Sequence, residues 1–190
     1  SMLSQGKLLD NLRRSLVPAA MVGLLLLGWL LAPRAGNWTL WVLAILLVPP
    51  SMASIRDLVA RPVDMPFGAH FRYAGVAVAR NYAQVPLTLA CLPFEAFFSL
   101  DAILRTLWRL LVSKRHLLQW SPSSEVERRL DDSLGASFRL MWTAPVAAIV
   151  TALALLQFHP AGMPVAAPIL GLWLLSPAIM WWLGRPRQHR

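Results

Sequence analysis

LVPAAMVGLLLLGWLLA, residues Leu16 to Ala32, carries no charge and is long enough as a helix to cross a bilayer core, which takes about 17–25 predominantly apolar residues. WTLWVLAILLVPPSMASI, Trp38 to Ile55, follows almost at once and is also uncharged, although Pro49 and Pro50 are expected to kink or end it. Two further apolar stretches close the chain: Leu140 to Phe158 with Pro145, and Val165 to Leu183 with Pro168 and the Ser176-Pro177 step. The turns Pro33 to Asn37 and His159 to Pro164 are too short for anything but antiparallel neighbours. The reading is an all-α membrane protein with four transmembrane helices in two hairpins: residues 1–55, and residues 140–190 with a basic tail. Residues 56–139 lie between them.

Composition excludes the main alternatives. Of 190 residues, 57% are hydrophobic and 14% charged, against about 45–50% and about 25% in an ordinary soluble domain. Disorder needs low hydrophobicity, and Cys91 alone cannot form a disulfide scaffold. A cleaved signal peptide at Leu16–Ala32 is disfavoured because a second apolar run follows directly. Ser1 ahead of Met2 reads either as an engineered start or as a piece of something longer.

Charge sets the orientation. Of the 18 basic residues only Arg34 falls in a short turn, and all nine acids lie outside both turns. Lys and Arg gather on the cytoplasmic side, so both termini and residues 56–139 are expected in the cytoplasm, with only the two short turns outside. Tryptophans agree as interfacial anchors: Trp29, Trp38 and Trp41 outside, Trp142, Trp181 and Trp182 inside, with Trp173 deeper. The formal charge of +9 favours anionic phospholipids as partners over nucleic acid, because the basic residues flank spans as topology requires.

The middle region is expected to be cytoplasmic and interfacial. Pro62, Pro66, Gly68 and Gly75 argue for a broken Arg56–Tyr82 segment with at most short helices. From Asp101 the pattern is regular. Asp101, Arg105 and Arg109 recur every four residues opposite Leu100, Ile103, Leu104, Leu107, Trp108 and Leu111, the period of an amphipathic helix. Crossing the bilayer would bury those charges at about 2.5–3.5 kcal/mol each, so Asp101 to Leu118 is expected along the membrane surface, with Arg105, Arg109, Lys114 and Arg115 at the lipid interface. Packing of the same stripe on a soluble domain is the alternative. Ser123-Ser124 offers a helix N-cap with Glu125 and Glu127 in the first turn, Glu125 pairing with Arg129 and Arg128 with Asp132, and Gly135 marks the bend into the third span.

Chemistry is sparse. Asp131-Asp132 is the one pair suited to a divalent ion holding a diphosphate, but adjacent helical residues point about 100° apart and both have arginines nearby, which favours a solvated charged face. His70, His116, His159 and His189 lack ligand spacing, and Cys91 reads as a packing residue. No metal site and no catalytic residue is expected in this chain, and phosphate-binding, dinucleotide and nucleophile-elbow motifs are absent.

DNLRRSLVP (Asp10 to Pro18), DAILRTLWRLLVSKRHLLQW (Asp101 to Trp120) and LWLLSPAIMWWLGRP (Leu172 to Pro186), in this order, resemble the membrane region of bacterial cyclic β-1,2-glucan synthases. The middle stretch is the most specific. The resemblance implies a fragment of a large inner-membrane enzyme. It would follow a processive glycosyltransferase domain that uses UDP-glucose and a divalent metal, and precede phosphorylase-like domains. It further implies an anchoring role beside the nascent β-1,2-glucan, and a protein-linked glucan for which Tyr82 and Tyr73 are the phenolic acceptors available. Sugars stack on aromatic faces and hydrogen-bond to charged groups, so Trp108, Arg109 and Trp120 are the candidate glucan contacts, with interfacial anchoring and phosphate contact as their plainer roles. A self-contained membrane adaptor using its basic helices is the competing class. Transport is weaker, since no span carries an intramembrane ion pair.

Overall fold

The computed structural model describes residues 2–60, 66–113 and 133–185, and these are helical with no strand among them. In chain order the helices are α1 (Met2–Leu30), α2 (Ala35–Val59), α3 (Phe67–Trp108) running into a π-helical turn (Arg109–Ser113), α4 (Leu134–Leu140), α5 (Thr143–Phe158) and α6 (Met163–Gly184). The chain is a membrane protein by this pattern. Asp10–Leu30, Ala35–Val59, Phe67–Val112 and Pro160–Gly184 are each long and apolar enough to cross a membrane.

Three of these coincide with expected spans, the expected Leu140–Phe158 span is long and apolar enough only together with α4 across a bend, and the middle region needs correction. Leu140–Phe158 is not one straight helix: the 16-residue α5 meets α4 at 66°. The bend falls at Met141 and Trp142, not at Gly135, which lies inside α4. Pro145 accounts for its place, because its missing N–H deprives the Met141 carbonyl of an α-helical donor and the Ala144 N–H takes that carbonyl at 3.2 Å.

The larger correction is α3. Where turns and short helices were expected, Phe67 begins a 42-residue helix that contains Gly68, Gly75, Pro86 and Pro93. Asp101–Trp108 is the end of this helix, not a separate one, while Leu118 and the Ser123-Ser124 cap lie outside the described residues. Helix breakers are tolerated in an apolar bundle when another group takes over the freed backbone acceptor. Pro93 has no N–H for the Leu89 carbonyl, and the Trp173 indole donates to it at 3.0 Å. Pro177 does the same to the Trp173 carbonyl, which accepts from Ser176 Oγ at 2.9 Å.

These bonds sit in the core. Leu25, Trp29, Leu155, Ala166 and Trp173 are fully buried, and the Trp29 and Trp173 rings lie 5.8 Å apart between centroids. Trp29 Nε1 donates to Thr39 Oγ1 at 2.8 Å, and that hydroxyl donates to the Ala35 carbonyl at 3.0 Å. Gly28 permits the approach: a Cβ there would fall 2.5 Å from Trp38 Cβ. The Trp29 carbonyl also lies against Gly162, so the α1–α2 and α5–α6 turns share one end of the molecule.

Both ends of the packed part of α3 meet the opposite end. His70 Nε2 donates to the Leu58 carbonyl at 3.1 Å near the close of α2, and Phe97 packs its ring 5.8 Å from that of Trp142, just before α5. Between His70 and Tyr82 α3 rises about 18 Å, whereas α2 rises about 10 Å between their partners Leu58 and Ser51, so the two helices cross obliquely.

Candidate functional site

Two places gather side chains of chemical interest. The first is at the end of α3, where Leu104, Arg105, Trp108 and Arg109 line a shallow surface depression of about 360 Å³. Helical spacing explains it: positions 104, 105, 108 and 109 lie side by side, so Leu104 and Trp108 adjoin the Asp101–Arg105–Arg109 stripe and do not lie opposite it as expected. Trp108 is 64% exposed. Arg105 is held in place by Asp101, one turn earlier, at 2.8 Å. The structure thus brings together Trp108, Arg109 and Arg105 of the expected set. Trp120, Lys114, Arg115, His116, His189 and the Asp131-Asp132 pair lie outside the described residues.

The two tyrosines differ in surroundings. Tyr82 OH hydrogen-bonds to Ser51 Oγ at 2.9 Å, which ties α3 to α2, while Tyr73 is 63% exposed. Next to Tyr82, Asn81 Nδ2 donates to Ser54 Oγ and Asp57 Oδ2, both at 3.4 Å. His70, Asn81 and Tyr82 therefore fasten the first half of α3 to the last turns of α2.

The second place was missed by sequence reasoning. A cavity of about 750 Å³ lies between α1, α2 and α3, with Arg13 and Arg14 on one helix, Pro49 and Pro50 on the next, and Asn81, Gln84, Thr88 and Glu95 on the third. Arg13 and Arg14 each pair with Asp10 at 3.0 Å. Glu95 has no ion-pair partner among the described residues. One signal was available in the sequence: Glu95 is the only charged residue between Arg80 and Asp101, in a mostly apolar stretch, and a carboxylate among apolar residues marks a candidate site.

No protein-family model matches the chain. Over 188 residues, 97% of its length, it is 35% identical to cyclic beta-(1,2)-glucan synthase NdvB of Rhizobium meliloti (strain 1021). The chain spans 7% of that protein's length. It is thus homologous, almost from end to end, to a short stretch of a cyclic glucan synthase, and the resemblance drawn from the three sequence stretches holds.

Proposed function

We propose that this chain is the membrane-anchoring and glucan-guiding module of a processive, UDP-glucose-dependent cyclic β-1,2-glucan synthase, without catalytic residues of its own. The observation that carries this reading is the 35% identity across 97% of the chain. In the parent enzyme the module works in the bacterial inner membrane with both termini cytoplasmic. It is joined to a glycosyltransferase domain and to phosphorylase-like domains, which supply the UDP-glucose and divalent-metal chemistry.

The geometry supports the placement in one respect. His70 and Phe97 both contact helix ends remote from the Trp29–Gly162 turns, an arrangement that suits both flanks of α3 on the same membrane face. In this reading α3 enters the bundle obliquely from the cytoplasmic side, reaches the core at Leu89 and returns to the same side, despite a length and hydropathy sufficient to cross. The basic residues before and after it then remain together, as the charge rule asks. The exposed Trp108 face, with Arg105 and Arg109 beside it, is placed to meet a glucan at that surface and anionic phospholipid around it.

In the full-length enzyme, Trp108→Ala is expected to shorten or slow protein-linked glucan formation from labelled UDP-glucose while leaving the protein level unchanged. Tyr82→Phe and Tyr73→Phe test the acceptor: loss of label in one identifies it. Retention in both, with normal protein level, moves the acceptor elsewhere. Unchanged glucan output in Trp108→Ala would remove the guiding role and favour an adaptor.

A further inference from the structure

We propose that the cavity between α1, α2 and α3 is a phospholipid site selective for a phosphoethanolamine head group. This goes beyond the glucan reading and does not rest on it. The walls are mostly apolar, with Val17 and Met21 facing Ile45, Val85 and Leu92, and suit an acyl chain. Among the described residues no aromatic ring lines the cavity, and these walls offer no stacking platform of the kind a glucan would use.

Its polar groups ask for two opposite charges at once. Arg13 and Arg14 share the single carboxylate of Asp10, which leaves one positive charge in excess, matched by a phosphodiester. Glu95, in the same lining, has no ion-pair partner among the described residues and calls for a cation. Pro49 and Pro50 have no N–H, so the carbonyls of Ile45 and Leu46, both lining residues, lose their usual donors four positions on. A carboxylate and donor-poor carbonyls favour a cation that itself carries N–H bonds. A primary ammonium has three, and a quaternary ammonium has none. Phosphatidylglycerol would meet the arginines and leave Glu95 unmatched, whereas phosphatidylethanolamine meets both.

The test uses the full-length protein in nanodiscs with trace phosphatidylethanolamine, phosphatidylglycerol or phosphatidylcholine bearing a photoreactive acyl chain. Labelled peptides are located by mass spectrometry. Phosphatidylethanolamine is expected to label the Met21 and Leu92 peptides about tenfold above the other two, the ratio for one charge-assisted hydrogen bond. Glu95→Gln should bring that ratio to about one by lowering phosphatidylethanolamine labelling alone, and the double variant Arg13→Gln, Arg14→Gln should lower labelling by all three phosphate-bearing probes. Equal labelling by the three lipids in the unaltered protein overturns the proposal, and this comparison needs no variant to fold. An unchanged ratio in a helical Glu95→Gln protein overturns it too. Displacement of the probe by inorganic phosphate would reassign the site to a soluble anion, and displacement by linear β-1,2-glucan would reassign it to sugar; either result also overturns it.

Discussion

Trp173 and Trp108 are both helical tryptophans set among leucines, yet one is fully buried and the other 64% exposed. Trp173 meets the Trp29 ring and a proline-freed carbonyl, so its ring is packed and its N–H finds an acceptor at Leu89. Trp108 sits one turn from Arg105, whose charge and Asp101 pairing occupy the adjoining surface. The difference is not hydrophobicity. A buried indole needs both a close neighbour and a partner for its N–H, and only the first region supplies both.

The strongest way to break the comparison is Trp173→Ala, which removes a buried ring and the donor to Leu89 together. It is expected to cost about 3–5 kcal/mol of stability, read from denaturant unfolding in a fixed detergent; a cost no greater than at Trp108 would end the contrast. Gly28→Ala comes next, at about 1–3 kcal/mol. The added Cβ meets Trp38 Cβ rather than a flexible side-chain end, and the same unfolding measurement reads it. Trp173→Phe separates ring from hydrogen bond: it keeps most of the packing and should cost about 1–3 kcal/mol through the orphaned Leu89 carbonyl. Adding Pro93→Ala gives that carbonyl a backbone donor again, so a double-mutant cycle should show the two changes coupled. The smallest effect is at Trp108→Ala, within about 0.5 kcal/mol on stability, so any loss of glucan output from that variant would be functional.

Hydropathy made α1, α2 and α6 legible because each is a local run of apolar residues. It failed for α3 because the group that makes Pro93 tolerable, the indole of Trp173, lies 84 residues from Leu89 in the chain, beyond any window of neighbours. Pro66, Gly68 and Gly75 carried their usual weight as breakers, and His70, Asn81 and Tyr82, which fasten this stretch to α2, show no pattern until both helices are in place. The Trp108 surface was half readable: four-residue spacing put Asp101, Arg105 and Arg109 in one stripe but set Trp108 opposite them, whereas Trp108 and Arg109 are neighbours on one face. The three-helix cavity was not, because Arg13, Pro49 and Glu95 meet only after α1, α2 and α3 have packed.

The bond from Trp173 to the Leu89 carbonyl has a mechanical meaning. It holds α3 near the middle of its length, with His70 on one arm and Phe97 and Trp108 on the other. Sliding α3 along the bundle by one turn, about 5.4 Å, would separate indole from carbonyl, whereas rotation about that point need not. A load applied to the exposed Trp108 arm is therefore delivered as torque about a fixed fulcrum. The opposite arm is tied to α2 through His70 and Leu58 at its far end and through Tyr82 and Ser51 nearer the fulcrum, so the wall of the Arg13–Glu95 cavity, which spans the fulcrum, is what such a lever would move.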